Sequence, residues 1–595
     1  MSDRSWLWTF ALAVSMALCL PAGLMPLQRH FYQTRFPDYF SSWTNNGSFS
    51  LVDTFHLDQD AYPYAARMRQ AGSHLLPGDP YIRENHSWRL IVRDGLTFHV
   101  LGGFFRLTQN MPAAWSLAQF VLALLWVPCL YAVMTRMGIG RGAALFVAVA
   151  VTLFHDLTRL PGGPTILTVL RAAFQYSFWL LGSYQYWFGP TRFTRPLFTY
   201  PCLFAAAWLA VRTAEGRRWP SAALSGLAGG ALAYVHPDVW AAYLGATSLM
   251  TAHSCWSRKR VDWPLVLSLG LTVAAACPWL LLNSLGPEDA GMIALAARRP
   301  EWGALGYALA AVLGWRFLDR KPMVVWACAL LLSVALALNG QLLIGRQGNP
   351  SLWFYLGNTF SMLLAGAFLA KMPLRRETWL WLSGFCVLLA LPRAVNYATL
   401  HYRICALPKA EEEAYRWLDR HTEMDSVVAT LSPMTNYRIP VHTHDKTLVS
   451  RIFALTSDIS YGENARRLNY ALSLFGADRR RFVDQGMDRS GEWERKLWLG
   501  EVDARSHERS GTLLGYFDMT SPEPVRALLV RAAADPGPQD YAVDYLWLGP
   551  FEKDLIGPRV RLPRESERRK VFENAMVTIF QVSRPAGQPL SRKAS

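Results

Sequence analysis

The chain has 595 residues, 52% of them hydrophobic, and its 60 Lys and Arg outnumber its 44 Asp and Glu to give a formal net charge of +16. That balance could serve nucleic acid, but much of the excess Arg and Lys stands in short connections between apolar blocks, where it sets membrane orientation instead. The eight cysteines show no CxxC pair and no metal-ligand spacing, so neither a disulfide framework nor a structural zinc is expected.

Taken in chain order, the apolar residues up to Val395 fall into blocks of roughly 15 to 25, the length that crosses a ~30 Å hydrocarbon layer. Eleven transmembrane helices are predicted, near residues 6–28, 113–134, 143–156, 196–213, 220–235, 237–254, 264–283, 302–315, 323–340, 352–371 and 378–394. The first run is long and lacks a small-x-small site at its end, so it reads as a retained span and not a signal peptide. Arg4 and five alternate connections carry the basic residues: Arg136 and Arg141; Arg217 and Arg218; Arg258, Lys259 and Arg260; Arg316, Arg320 and Lys321; Lys371, Arg375 and Arg376. That side is cytoplasmic by the positive-inside rule, and an odd number of spans places the tail outside. The fifth and sixth spans are separated only by His236-Pro237, where a proline favours a tight turn.

Residues 1–395 thus form the membrane domain, with long outer loops at 29–112 and 157–195, and residues 396–595 a small extracytoplasmic α/β domain. The last part of the first loop, Gly95 to Leu107, has the pattern of an amphipathic helix lying along the interface. In the tail, helices are predicted at Ala410–His421, Glu463–Phe475 and Pro522–Ala534, and strands at Ser426–Leu431, Asp544–Leu548 and Met576–Val582. The segment Arg438-Ile-Pro-Val-His-Thr-His444 reads as a strand with His442 and His444 on one face, contacting an acceptor or serving structure.

The stretch richest in chemistry runs from Asp53 to Arg69. It places Asp53, His56, Asp58 and Asp60 within eight positions, then enters a helix at Tyr62 and Tyr64, with Arg67 and Arg69 following. Gly78-Asp79-Pro80-Tyr81 and Glu84 come shortly after. A second charged pair, His155-Asp156, ends the third span, and His236 with Asp238 marks the break between the fifth and sixth. All of these would project to the same outer face. A solvated acidic loop and an interfacial anchor are the plain alternatives for the acids taken singly.

An acid before aromatics and a basic helix, in Asp60-Ala-Tyr-Pro-Tyr, resembles the first outer loop of class C (GT-C) membrane glycosyltransferases, a group that includes oligosaccharyltransferase catalytic subunits and protein O-mannosyltransferases. The layout is similar as well: a first span, a long acidic loop with an interfacial helix, many spans, and a soluble domain outside. The resemblance implies transfer of a sugar from a polyprenyl-phosphate donor to an extracytoplasmic glycan, lipid or protein acceptor. It implies Asp60, Asp58 and Asp156 as catalytic carboxylates, and a divalent cation (Mg or Mn) on Asp58, Asp60, His155 and Asp156. Arg171, Arg192, Arg195 and Arg298 are the expected contacts of the donor phosphate, and Tyr62, Tyr64 and His236 those of the substrate. The bilayer is then a partner, and a bacterial inner membrane the expected location. Two rivals stand beside this reading: a transporter or flippase of lipid-linked glycans, and a non-catalytic GT-C-like scaffold.

Overall fold

A computed structural model describes residues 3–35, 49–51, 61–85, 95–154, 197–284, 293–294, 300–340, 342, 346–347, 350–450, 459–477, 522–534, 541–556 and 568–582. Each predicted apolar run falls on a helix. The elements of the apolar part, in order, are α1 (Asp3–Arg35), β1 (Phe49–Leu51), α2 (Ala61–Ser73), α3 (Gly95–Thr108), α4 (Met111–Arg136), α5 (Arg141–Leu153), α6 (Thr199–Gly216), α7 (Trp219–Val235) and α8 (Pro237–Arg258). They continue with α9 (Trp263–Ser284), β2 (Ile293–Ala294), α10 (Ala304–Phe317), α11 (Pro322–Leu338), β3 (Arg346–Gln347), α12 (Pro350–Leu369) and α13 (Arg376–Cys405). Several of these helices begin on proline, whose fixed φ and missing N–H suit the first turn; Pro112, Pro220, Pro237 and Pro322 do this for α4, α7, α8 and α11.

Among the described residues, four segments are long and apolar enough to cross a membrane: Asp3–Leu24, Met111–Arg136, Trp263–Leu282 and Arg376–Val395. The bundle is also apolar on its outside, with Leu227, Leu309, Leu336 and Leu388 exposed and Trp126 and Trp326 buried within. An apolar exterior around an apolar interior is stable in lipid and not in water. Where helices meet inside, small residues bring the backbones together. At Gly226 an added Cβ would lie 2.5 Å from Leu271 Cβ and 2.7 Å from the Ser268 carbonyl oxygen.

The break at His236 makes a hairpin, as expected. His236 is extended (φ −168°, ψ 128°), and Tyr243 of α8 folds back to donate to the Ser225 carbonyl of α7 at 3.2 Å. The last apolar helix runs on past Val395 to Cys405, so the chain enters the tail on a continuous helix.

The tail begins with β4 (Ala406–Pro408) and α14 (Lys409–His421), then β5 (Val427–Ala429), α15 (Pro433–His442), β6 (Lys446–Thr447), α16 (Tyr461–Phe475), α17 (Pro522–Ala534), β7 (Tyr545–Leu548), α18 (Pro550–Ile556), β8 (Arg568–Glu573) and β9 (Thr578–Val582). Its five-stranded sheet has the order β6-β5-β7-β9-β8; β6, β5 and β7 run parallel, and β9 and β8 antiparallel to their neighbours. One face carries α16 and α17 over Val427, Ala429 and Leu546, and the other carries α14 over Val428, Tyr545 and Trp547.

Arg438 to His442 is helix, not strand. Ser432 caps α15 by accepting from the Thr435 N–H at 3.2 Å, and Pro433 opens the first turn. His442 therefore stacks near Tyr415 while His444 lies beyond the helix end, and the two histidines do not share a strand face.

Candidate functional site

The first loop and the tail are joined at a continuous seam. β1 pairs antiparallel with β4, Phe49 opposite Pro408. Helix α2, which starts one residue after Asp60, then lies between α3 and α15. Its buried face carries Tyr62, Tyr64, Arg67 and Met68. Tyr62 stacks on Tyr437 at 6.2 Å between ring centroids, and Tyr81 meets the same ring edge-on at 6.3 Å. Tyr64 and the Arg67 guanidinium both pack on Phe98 of α3, the guanidinium 4.1 Å from the ring centre. At the far end of α2, Arg106 donates to the Gly72 carbonyl at 2.8 Å and to the Ala71 carbonyl at 3.1 Å, satisfying the last turn.

Charge fastens the same seam. Arg69 donates to Asp419 Oδ1 at 2.6 Å and to the Val441 carbonyl at 3.1 Å. His444 sits 3.3 Å from Asp419 and 3.2 Å from the Thr422 hydroxyl, which itself donates to Asp445 at 2.7 Å. Lys446, buried, donates to Gln70 Oε1 at 2.7 Å and to the Asp79 carbonyl at 2.8 Å, and faces Asp425 at 3.4 Å. The Asp79 side chain ties its own turn by accepting from the Tyr81 and Ile82 N–H groups. Arg83 reaches Asp544 at 3.0 Å, and Arg467 reaches Glu84 at 3.3 Å. The turn from Asp79 to Glu84 is therefore bound to the sheet and to α16 alike.

The electrostatics follow from this packing. Burial pushes the Asp445 carboxyl up to about 7, against the pull of the Thr422 hydroxyl and His444. The hydrogen bond to Asp419 raises the His444 imidazole above its ordinary value. Burial works to raise Asp419 as well, yet His444 and the Arg69 charge together hold it below the usual carboxylate range. Burial lowers the Lys446 ammonium, with Asp425 and Asp79 opposing. A small polar cleft opens here, lined by Arg69, His74, Met424, His444 and Asp445 among others.

Of the residues singled out by sequence, Asp58, Asp60, His155, Asp156, Arg171, Arg192, Arg195 and Arg298 lie outside the described residues, as does the second loop at 157–195. Tyr62, Tyr64 and His236 are described, and all three are buried. The two tyrosine rings are taken up by Tyr437 and Phe98. His236 caps α8, its Nδ1 accepting from the Asp238 N–H at 3.3 Å, and the carbonyl of neighbouring Val235 accepts from Thr97 of α3 at 2.9 Å. In this arrangement each of the three fixes structure next to the loop. Among the described residues, no group of three His, Cys, Asp or Glu side chains stands close enough to hold a metal ion.

Residues that sequence reasoning passed over do more at the seam. Arg438, Tyr437, Asp419 and Lys446 all come from the tail and meet α2 or its following turn. In the bundle itself, buried Arg393 of α13 donates to the Leu153 carbonyl at 3.1 Å, two residues before His155 in the chain.

The sheet itself is closed as a binding crest. Parallel strands usually receive ligands at their carboxyl ends. Here the buried Glu552 carboxylate fills that place, accepting from the Thr430 hydroxyl at 2.6 Å, from the Leu431 and Ser432 N–H groups, and from the Gly549 N–H at 3.0 Å.

The described residues thus form an apolar helical bundle that meets a small α/β domain at the β1–β4 pair and along α2. No family profile and no characterised protein matches the sequence. Among solved structures the chain is similar to ArnT from Cupriavidus metallidurans bound to undecaprenyl phosphate, at 10% identity over 87% of this chain and 92% of that one, with a TM-score of 0.42. The apo state of ArnT gives the same identity and coverage with a TM-score of 0.41.

Proposed function

We propose that the protein is a membrane glycosyltransferase that moves a sugar from a polyprenyl-phosphate donor to an acceptor at the extracytoplasmic face. One observation carries the reading: the helix that follows the acid motif in the sequence has a first turn, Tyr62 to Tyr64, buried between bundle and tail. A loop of merely solvated acids needs no such burial beside it. The basic connections place the tail, and α2 with it, outside.

In the reaction, an acceptor O–H or N–H attacks the anomeric carbon. The bond from that carbon to the phosphate oxygen breaks, and the polyprenyl phosphate leaves with the electron pair. Asp60 takes the acceptor's proton, and Asp58 and Asp156 hold the acceptor and the sugar. Arg171, Arg192, Arg195 and Arg298 neutralise the departing phosphate at the bilayer surface. Asp58, Asp60, His155 and Asp156 are the residues that would hold a divalent cation, which would supply positive charge to the phosphate.

Replacing Asp60 with Asn keeps volume and removes the base. Turnover of lipid-linked sugar in membranes should fall by about 10²- to 10⁴-fold, with protein level and retention of undecaprenyl phosphate unchanged. Normal turnover in both Asp58→Asn and Asp60→Asn would remove the motif from the chemistry and leave a flippase or a scaffold as the better reading.

A further inference from the structure

Two helices of the bundle close in the same unusual way. α6 ends on Arg217 (φ 52°, ψ 32°) and α8 on Lys259 (φ 49°, ψ 33°), each in the left-handed position that glycine takes without strain. A long cationic side chain stands there instead, and a second cation follows it, Arg218 in one turn and Arg260 in the other. The two turns lie side by side. An added Cβ at Gly226 of α7 would meet Leu271 and the Ser268 carbonyl of α9, and one at Gly230 would meet Ala275 and the Thr272 carbonyl. The two helices therefore run parallel and in step. Followed back two turns, that register sets Trp219, where α7 begins, level with Trp263, where α9 begins. Arg258 of α8 donates to the Ala214 carbonyl of α6 at 3.4 Å, which joins the ends of the other two helices. The opposite end of α7 is the one tied to α3, through the Val235 carbonyl and Thr97. The 17 residues of α7 put about 25 Å between that end and the basic turns.

The carboxylates nearby are already engaged. Asp262 accepts from Arg258 at 2.8 Å and from Ser254 at 2.7 Å, and Glu215 pairs with Arg136 at 3.1 Å. Arg217, Arg218, Lys259 and Arg260 are exposed, and among the described residues none of them has an ion-pair partner. Around them Trp219, Trp256 and Trp263 stand 58%, 86% and 61% exposed. Tryptophan at the rim of an apolar bundle belongs in the headgroup layer of a bilayer. From that rim the exposed Leu224 and Leu227 of α7 and Val273 of α9 continue as an apolar surface.

We propose that the paired turns at 217–218 and 259–260 bind one anionic phospholipid, its headgroup phosphate between the cations and its chains along α7 and α9. Glycine would close either helix more easily, so what these two positions supply is charge. The tryptophans flank the glycerol region, and the apolar surface below them takes the acyl chains. The site stands at the end of the bundle away from the proposed transfer reaction and does not depend on it.

The test uses the delipidated full chain in nonionic detergent. It is titrated with phosphatidylglycerol labelled on an acyl chain and, in parallel, with phosphatidylcholine carrying the same label. The unaltered protein should prefer phosphatidylglycerol by about 10-fold, and high salt should remove much of that preference. Arg217→Gly with Lys259→Gly suits both left-handed turns, so thermal stability should hold or rise while the preference falls to about twofold. Arg218→Gln with Arg260→Gln leaves both caps as they are and should lower the preference likewise. Arg316→Gln with Arg320→Gln removes the same charge from the connection between α10 and α11, and should leave the preference intact. A preference that none of these pairs moves, or that all three move equally, would overturn the site. Lower stability of the glycine pair with an unchanged preference would overturn it too, because Arg217 and Lys259 would then serve only the negative ends of their helices. Equal binding of the two lipids by the unaltered chain would do the same, and would leave the cations to an acidic soluble partner.

Discussion

Between α7 and α9 the chain packs backbone against backbone; between α2 and the tail it packs charge against charge. In the first contact, Gly226 and Gly230 let the helices approach, and a short hydroxyl chain runs through Ser268, Ser225 and Tyr243, with Ser268 donating to Ser225 at 2.9 Å. In the second, Arg69, Asp419, His444, Lys446 and Asp425 meet across the seam. Lipid offers no hydrophobic gain for bringing helices together, so shape and close backbone contact must do it. At the seam, the cost of burying charge is offset by ion pairs and hydrogen bonds, which also select one register between the loop helix and the tail.

The contrast predicts different vulnerabilities. The glycine contact should fail on volume. Gly226→Val forces a branched side chain onto Leu271 and the Ser268 carbonyl, and should cost about 1–3 kcal/mol of bundle stability, read as the thermal stability of the detergent-extracted protein. Ionic strength should not alter that loss. A tolerated valine would mean that α7 and α9 do not touch as described.

The charged seam should fail on pH instead, and by less. Asp445 and His444 both bind a proton more tightly in the folded state than unfolded, so each contributes stability that is full below its unfolded value and lost as pH rises through its folded one. For Asp445 that window runs from 3.8 to about 7, and for His444 it begins at 6.5 and extends upward. Asp419 works in the opposite sense, but only below 3.8, where its paired carboxylate is protonated. Burial lowers the Lys446 ammonium while Asp425 opposes it, and Asp425 also faces His74 at 3.8 Å. Amide exchange in α2, corrected for the intrinsic effect of base, should therefore rise a few-fold from pH 5 to pH 8, and Asp445→Asn should flatten the rise. A flat profile in the unaltered protein would show that the seam does not depend on these protons.

Much of this architecture was legible in residue order. The tail helix predicted at Pro522–Ala534 is found there, and that predicted at Gly95–Leu107 runs to Thr108, because apolar periodicity is a local signal. The hairpin at His236-Pro237 was legible for the same reason. The strand read at Arg438–His444 failed because Ile439 and Val441 alternate with polar residues and Pro440 lies within. The competing signal, Ser432-Pro433 as cap and first turn, stood six residues upstream and prevailed. The seam was not legible at all. Arg69 and Asp419 are 350 positions apart and Tyr62 and Arg438 are 376 apart, so no spacing rule joins them. Nothing in the order of residues 61–73 showed that the tail packs against α2.

The account stands on acids from two loops meeting over one donor phosphate. The direct measurement is a cross-link between Asp58→Cys and Asp156→Cys in membranes, using a bismaleimide that spans about 10 Å, the reach of one sugar or one bound ion with its ligands. The expected result is efficient linkage at that length. No linkage at that length, with capture only by reagents approaching the ~30 Å scale of the hydrocarbon layer, would contradict a shared site.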